Sequence, residues 1–263
     1  MSALRIYALV ARHLTIYLRS IPRVMDIFFW PVMDLLILGF LSIYLNSLDI
    51  GNINIVAMLI GGVVLWQIVD RSQNAFSTYF LEDVWYRNFL NIFITPLKLS
   101  EFFVAGAILS LIRILIVSLI LFLISLFLYK FSIFTFGLAL VPYMINLFLF
   151  GFSLAIFINA IIIRFGASAQ VLAFGMAILV QPVSAVYYPV SALPHWLQYV
   201  SYGLPGTYVF ESVRNIAAGG AFEWGPFLIA LVLNFVYLGL AWWFFTAMFR
   251  KVKKLGKLLK VQD

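Results

Sequence analysis

The chain has 263 residues, of which 65% are hydrophobic and only 10% are charged. A water-soluble domain carries roughly 25% charged residues, so this composition excludes a soluble globular protein and indicates a chain that folds in lipid. The lack of cysteine excludes a disulfide framework, a thiol nucleophile and a cysteine-based zinc site. The net charge of +7 is explained by membrane topology and does not indicate a nucleic-acid partner.

The apolar segments are long and continuous, which predicts an all-α membrane protein rather than a barrel. Residues 1–23 come first, where Arg5, Arg12 and Arg19 share one face of an amphipathic interfacial helix that Pro22 ends. Six transmembrane helices follow, at 25–46, 54–80, 102–129, 136–161, 168–188 and 226–248.

The loop between the second and third spans, residues 82–100, differs from a simple connection. Glu82 and Asp83 suit a helix N-terminus, and a short amphipathic helix is predicted from about Val84 to Ile94. Pro96 stops this helix. It either lies at the interface between two spans or is held by a cytoplasmic partner, and the residue chemistry alone favours neither interpretation.

A second unusual segment, residues 189–225, precedes the last span. Its piece from Leu193 to Pro205 is too short to cross a bilayer and too apolar to remain in water. The pattern predicts an external re-entrant or interfacial helical hairpin, and its aromatic residues also suit an anchoring belt at the outer interface. The residues assigned to this hairpin are Pro189, Pro194, Trp196, Pro205, Glu211 and Arg214.

Lysine and arginine predict the orientation of the chain. The external segments hold only Lys130 and Arg214, whereas the cytoplasmic segments hold Arg5, Arg12, Arg19, Arg23, Arg87, Lys98, Arg164, Arg250, Lys251, Lys253, Lys254, Lys257 and Lys260. The positive-inside rule therefore predicts a multi-pass protein of the plasma or inner membrane with both termini in the cytoplasm. The basic tail, residues 250–263, is interpreted as a topology anchor that contacts anionic lipid.

Four charged residues are predicted at membrane depth: Asp34, Asp70, Arg71 and Arg113. Each lies roughly 16–18 Å along its helix from the cytoplasmic end, so they form one layer with a total charge of zero. Intramembrane charges pair or face a watery cavity. We predict that Asp34 pairs with Arg113 and that Asp70 and Arg71 find partners nearby. The alternative is a structural clasp at the inner headgroups.

Motifs for catalysis are missing from the sequence. It contains no G-x-x-x-x-G-K-[ST] loop, hence no Walker-type ATP site, and neither H-E-x-x-H nor G-x-S-x-G. The two histidines, His13 and His195, fall on opposite sides of the membrane in this topology, so they cannot form one metal site. We therefore assign no catalytic and no metal-binding residue.

Three pieces of the sequence together resemble the permeases of type-2 ATP-binding-cassette (ABC-2) exporters along nearly the whole chain. One is NIFITPLKLSEFF (91–103), and another is SAVYYPVSALPHWLQYVSYGLPGTYVFESVR (184–214). The second contains, in order, a Tyr-Pro step, a Leu-Pro-x-Trp-Leu piece and a Pro-x-Thr-Tyr-x-x-Glu-x-x-Arg piece. The third is the basic N-terminal helix. Gly203-Leu204 departs from the Asn-Pro that is common before the last piece.

The resemblance implies a single transmembrane domain over residues 1–263. Such permeases pair as dimers, here a homodimer, and each binds a separate cytoplasmic ATP-binding-cassette ATPase. ATP and Mg²⁺ would be held by that partner, and this chain would bind no cofactor. The loop helix would be the coupling helix in a cleft of the ATPase, with partner-binding residues Glu82, Asp83, Trp85, Arg87, Asn88 and Pro96. The external hairpin would shape the exit of a path between the two permeases.

The implied substrate is a hydrophobic or amphipathic compound, and a drug-like molecule is preferred because the first span lacks the strongly basic entrance of the polysaccharide branch. Lipid or lipid-linked polysaccharide is the alternative within the family. Two alternatives come from other classes. A membrane-embedded enzyme predicts grouped catalytic residues and activity without nucleotide, and a channel without ATP coupling predicts no effect of altering the 82–96 segment.

Overall fold

A computed structural model describes residues 1–48, 55–85 and 95–254 of the chain. The α-helices in these ranges are α1 (Ala3–Leu18), α2 (Ile21–Ser47), α3 (Ile55–Trp85), α4 (Leu99–Tyr129), α5 (Leu140–Phe165), α6 (Gln170–Val183), α7 (His195–Tyr202), α8 (Pro205–Ala217) and α9 (Trp224–Lys254). Short 3₁₀ helices occur at Ile133–Ala139, Gly166–Ala169 and Val190–Ala192. The described residues form no strand, which confirms the all-α class.

Among the described residues, five helical segments are long and apolar enough to cross a membrane: α2, α3, α4, α9 and the unit of the 133–139 helix with α5. They correspond to five of the six predicted spans. The predicted span at 168–188 is wrong in its extent, because α6 has only 14 residues and contains Pro182 near its end. At 1.5 Å per residue α6 is roughly 21 Å long, which is shorter than a hydrocarbon core of about 30 Å.

The predicted N-terminal helix is present as α1, but it ends at Leu18 rather than at Pro22. Pro22 instead lies in the first turn of α2, where the missing backbone N–H would have no helical partner in any case. The buried face of α1 includes His13 and Tyr17, and it packs on α4 and α2. This helix is therefore part of the bundle as well as a surface element.

The centre of the bundle is α3, which packs against α2, α4, α5, α6 and α8. In its most apolar stretch 72% of the residues are buried, compared with 17% in α2, 22% in α4 and 17% in α9. One apolar cluster surrounds the first half of α3, around Ile60, and another surrounds its second half, around Phe76 and Phe80. The outer helices therefore expose apolar faces, as expected in lipid.

Glycine allows α5 to lie directly against α3. A Cβ atom at Gly151 would be 1.9 Å from Ser72 Oγ and 2.4 Å from the carbonyl oxygen of Val69. The Val69 atom belongs to the helix backbone, so it cannot rotate away. The crossing of these two helices therefore requires the smallest residue at position 151.

We expect Gly151→Ala to lower the free energy of unfolding by roughly 2 kcal/mol, because an added methyl group forces two packed helices apart. Gly239→Ala is the matched control, since a Cβ on that α9 glycine has nothing within 4 Å. Thermal unfolding of the purified chain in detergent compares the two variants with the native protein. Equal midpoints for both variants would contradict the proposed contact.

Candidate functional site

Two adjacent carboxylates at the end of α3 are bound by side chains from α1 and from the first turn of α2. Arg12 Nη2 donates to Asp83 Oδ1 at 2.8 Å, and His13 Nδ1 lies 3.2 Å from Glu82 Oε2. Arg23 Nη1 lies 3.4 Å from Glu82 Oε1. These five residues are called the α1–α3 network below. They join three helices at one end of the bundle.

The two carboxylates and the histidine of the network lie inside the protein. The exposed fraction is 2% for Glu82 and 0% for Asp83 and His13. Two buried carboxylates without cations would cost several kcal/mol each, so the basic side chains of α1 and α2 are required for this packing. The His13 ring also packs edge-on against Tyr79 with ring centroids 4.4 Å apart, which fixes α1 against α3.

The charge of the network depends on His13. Burial lowers the pKa of His13, but its hydrogen bonds to Asp83 and Glu82 raise it by more, so that the pKa lies above the usual 6.5. The protonated ring supplies a positive charge to both carboxylates, since Nε2 lies 3.6 Å from Asp83 Oδ2. The contact between α1 and α3 is therefore strongest when His13 is protonated.

Glu82 and Asp83 do not begin a separate loop helix, so that prediction is wrong. Both residues lie near the C-terminal end of α3, which continues to Trp85. Their carboxylates face α1, whereas the Trp85 side chain is 45% exposed. The rest of the predicted coupling helix, including Arg87 and Asn88, lies outside the described residues.

Ser2, which precedes α1, and Arg5 in its first turn also contact the start of α4, on the far side of the same loop. The backbone N–H of Ser2 donates to Glu101 Oε1 at 2.7 Å, and Arg5 Nη1 lies 3.5 Å from Glu101 Oε2. Arg5 also donates to the carbonyl oxygen of Pro96, the residue predicted to end the coupling helix. One helix thus holds both ends of the segment that connects α3 to α4.

Sequence reasoning missed this role of α1. It placed the arginine stripe at lipid headgroups and considered His13 only as a metal ligand. A signal was present, because an apolar helix that ends in Glu82-Asp83 needs cations nearby, and the neighbouring pair Arg12-His13 offers two of them. Only the folded arrangement shows that these pairs meet.

Three of the four predicted membrane-depth charges are neighbours. Gln67 Nε2 donates to Asp34 Oδ2 at 3.0 Å, and Arg71 pairs with Asp70 beside it on α3. Gln67 is buried, whereas Asp34 is exposed on the surface of α2. Two carboxylates and one guanidinium leave this group with a net charge of −1, so the predicted balance of charge is not reached here.

The predicted pair between Asp34 and Arg113 is wrong. The Arg113 guanidinium lies over the ring of Tyr17 on α1, 3.8 Å from the ring centroid. Arg113 therefore belongs to the α1 end of the bundle. A cavity of about 260 Å³ opens there, lined by Tyr17, Pro22, Arg23, Asp26, Ile27, Asn74, Thr78, Glu82, Trp85, Arg113 and Phe174.

The segment of the predicted external hairpin contains the short helices α7 and α8, joined to the preceding turn by a charged pair. Glu211 Oε1 accepts the backbone N–H of Val190 at 2.8 Å and forms an ion pair with Arg214 Nη1, also at 2.8 Å. Arg214 Nη2 donates to the carbonyl oxygens of Ala185 and Tyr188, each at 2.8 Å. Ala185 has a φ of 53°, so these bonds hold a strained turn in place.

The remaining hairpin residues mark the ends of these short elements. Pro189 precedes the 190–192 turn, Pro194 precedes α7, and Pro205 opens α8. Trp196 is 69% exposed, as an interfacial anchor would be. The two helices are present, and their insertion into the outer face of a membrane stays a prediction.

This geometry defines a multi-pass helical membrane protein whose central helix, α3, ends in two buried carboxylates. The ABC-2 type transporter family matches residues 5–218 of the chain, from α1 through α8. The chain therefore belongs to the ABC-2 type transporter family, which confirms the resemblance found in the sequence. Its domain is a transport permease rather than a catalytic ATPase, and the family normally works with an ATP-binding-cassette ATPase. A search of curated proteins finds no match.

The raised pKa of His13 predicts a pH-dependent stability. The contribution of the protonated ring is fully present below about 6.5 and is lost as the pH rises through the higher pKa of the folded state. We expect the native chain to unfold at a higher temperature than His13→Gln at about pH 5.5 and to lose this advantage as the pH rises through the raised pKa of His13. A difference between the two proteins that does not change with pH would contradict this role.

We expect Arg214→Ala to destabilise the chain by about 3 kcal/mol, because it leaves the carbonyl oxygens of Ala185 and Tyr188 without their donor and the Glu211 carboxylate without its ion-pair partner. Arg214→Lys keeps the charge but cannot reach all three acceptors, so it should restore only part of the loss. Thermal unfolding in detergent measures both variants. If Arg214→Ala unfolded at the native temperature, the contacts of Arg214 with the turn after α6 would contribute nothing to stability.

Proposed function

We propose that this chain is the permease subunit of an ATP-driven exporter in the plasma or inner membrane. It works as a homodimer with a separate cytoplasmic ATPase subunit that holds ATP and Mg²⁺. The observation that carries the proposal is the α1–α3 network together with the contacts of α1 to α4. A loop whose two ends are tied to α1 transmits an external force, because its ends cannot move without α1, α3 and α4.

Contacts of α6 with α3 support six crossings and two cytoplasmic termini. Gln73 Nε2 donates to the carbonyl oxygen of Ala173 at 2.8 Å, near the start of α6. After α6, the carbonyl oxygen of Val186 lies 3.0 Å from where a Cβ of Gly62 would be. The chain therefore runs antiparallel to α3 over this stretch. A short fifth crossing in this direction would bring α7 and α8 to the external side.

The proposed cycle uses α3 as the moving part. ATP binding on the partner subunits would shift the loop after Trp85, and the network would carry that shift into α1 and α3. Because α3 contacts α2, α4, α5, α6 and α8, its displacement would reach the membrane-depth charges and the outer half of the bundle. Nucleotide then selects between two arrangements of the same helices.

The proposed substrate is a hydrophobic or amphipathic compound of drug-like size. An apolar groove of about 410 Å³ between α5, α6 and α9 supports a route for such a molecule, and its lining residues are Ser153, Leu154, Phe157, Met176, Tyr237, Leu240, Ala241, Trp243 and Phe244. Many core aromatic rings instead pack against each other, as Phe76 does with Phe103 at 5.1 Å between centroids. They hold the bundle together and do not line a path.

Co-expression with an ATP-binding-cassette ATPase tests the proposal. We expect the native chain to co-purify with the ATPase and to support ATP hydrolysis that responds to substrate. Arg12→Ala should reduce this response several-fold, because removing a charged partner of Asp83 costs about 2 kcal/mol of contact between α1 and α3. Arg12→Lys should restore part of it.

Arg19→Ala is the matched control, since Arg19 belongs to the same stripe but is exposed just after the end of α1. If no such ATPase binds the native chain, the exporter proposal is wrong. If Arg12→Ala behaves like Arg19→Ala in a working complex, the network has no part in coupling.

A further inference from the structure

A cluster of polar side chains lies at membrane depth, apart from the α1–α3 network. We call it the mid-membrane cluster. Its members are Asp34 on α2, three residues on α3 (Gln67, Asp70 and Arg71), and Tyr187 in the turn after α6. Gln67 Nε2 bonds to Asp34, and both carboxylates act electrostatically on the Tyr187 hydroxyl. Three segments of the chain therefore converge on one polar site.

The charge of this cluster is not balanced. Arg71 pairs with Asp70, its neighbour on α3, while the hydrogen-bond partner of Asp34 is the neutral amide of Gln67. Within the described ranges, the charged groups that act on Asp34 are Asp70 and Arg71, which sum with it to −1. An uncompensated carboxylate at membrane depth costs free energy, because the surroundings have a low dielectric constant, and it therefore attracts a cation.

A second observation comes from the amide of Gln67. This residue is 3% exposed, and its Oε1 has no hydrogen-bond partner among the described residues. Buried amide oxygens normally accept a hydrogen bond, so a donor is missing. The Nε2 atom of the Gln67 amide faces Asp34, and its unpaired Oε1 is buried at the other corner of the same amide group. A protonated amine carries several donors and a positive charge, so it pairs with the exposed Asp34 carboxylate and, when the Gln67 amide turns over, also donates to Oε1.

The surface of α2 around Asp34 is apolar and open. Trp30 and Ile37 lie one turn to either side of Asp34 on the same face of the helix and are 58% and 65% exposed. The face of an indole ring attracts an ammonium group, and Ile37 offers contact to hydrocarbon. The ligand that fits this surface therefore combines a charged amine with an apolar body.

We propose that the mid-membrane cluster recognises the ammonium group of a cationic amphiphile. The amine contacts Asp34 and Gln67, Trp30 covers it, and the apolar body lies along the exposed face of α2. This inference rests on the proposed exporter function, because it narrows the drug-like substrate class to lipophilic amines. Neutral and anionic amphiphiles of the same size bind more weakly, since they leave the Asp34 charge uncompensated.

Binding of a fluorescent lipophilic amine, dansylcadaverine, tests the inference on the full chain in nanodiscs of phosphatidylcholine, whose lipids carry no net charge. Its N-acetylated derivative has the same fluorophore and lacks the positive charge. We expect the native chain to bind the amine about tenfold more tightly than the acetylated probe. Asp34→Asn should abolish this preference, and Asp34→Glu should retain much of it. Gln67→Leu should weaken it several-fold.

Asp26→Asn is the matched control, because Asp26 is an exposed carboxylate on the same helix that lines the cavity at the α1 end. It should keep the native preference. Equal binding of both probes to the native chain, or an unchanged preference in Asp34→Asn, would overturn the inference. The assay contains no ATPase. If the chain binds the amine but never assembles with an ATPase, only the exporter proposal is wrong. If the chain works in a complex with an ATPase but shows no preference for the amine, only the proposed amine site is wrong.

Discussion

Lipid offers no hydrogen-bond partners, so every polar group on the central helix α3 must be satisfied by another part of the protein or by a polar guest. This constraint explains the neighbours of α3 along its length. Gln67 bonds to α2, Gln73 bonds to the backbone of α6, and Glu82 and Asp83 bond to α1. The polar side chains of one helix thereby select which elements pack against it.

The α1–α3 network gives this constraint a functional consequence. Two carboxylates at the end of α3 are stable inside the protein only while α1 covers them, so α1 and α3 move as a unit. The same helix contacts Pro96 and Glu101 beyond the loop. A permease driven by a separate ATPase needs such a rigid connection between the loop that receives the force and the helices that carry it.

The far end of the bundle uses the same principle with fewer charges. There Arg214 and Glu211 fix the turn after α6 to α8, and Tyr187 in that turn is a member of the mid-membrane cluster. The cluster therefore lies between two regions that are each held by ion pairs. Within the cluster, Asp34 differs from these paired charges, because its hydrogen-bond partner is the neutral amide of Gln67. For this reason we assign a ligand to Asp34 rather than a structural role.

The sequence by itself determined the all-α membrane class, five of the spans, the family and the unusual charge of the 82–83 doublet, because length, hydropathy and motif order are local properties. Only the tertiary structure decided the partners. It placed Arg113 on Tyr17 instead of Asp34, shortened the helix at 170–183, and buried His13 beside Glu82. Spacing along a helix fixes the depth of a charge but not the direction it faces, and direction depends on how the helices pack.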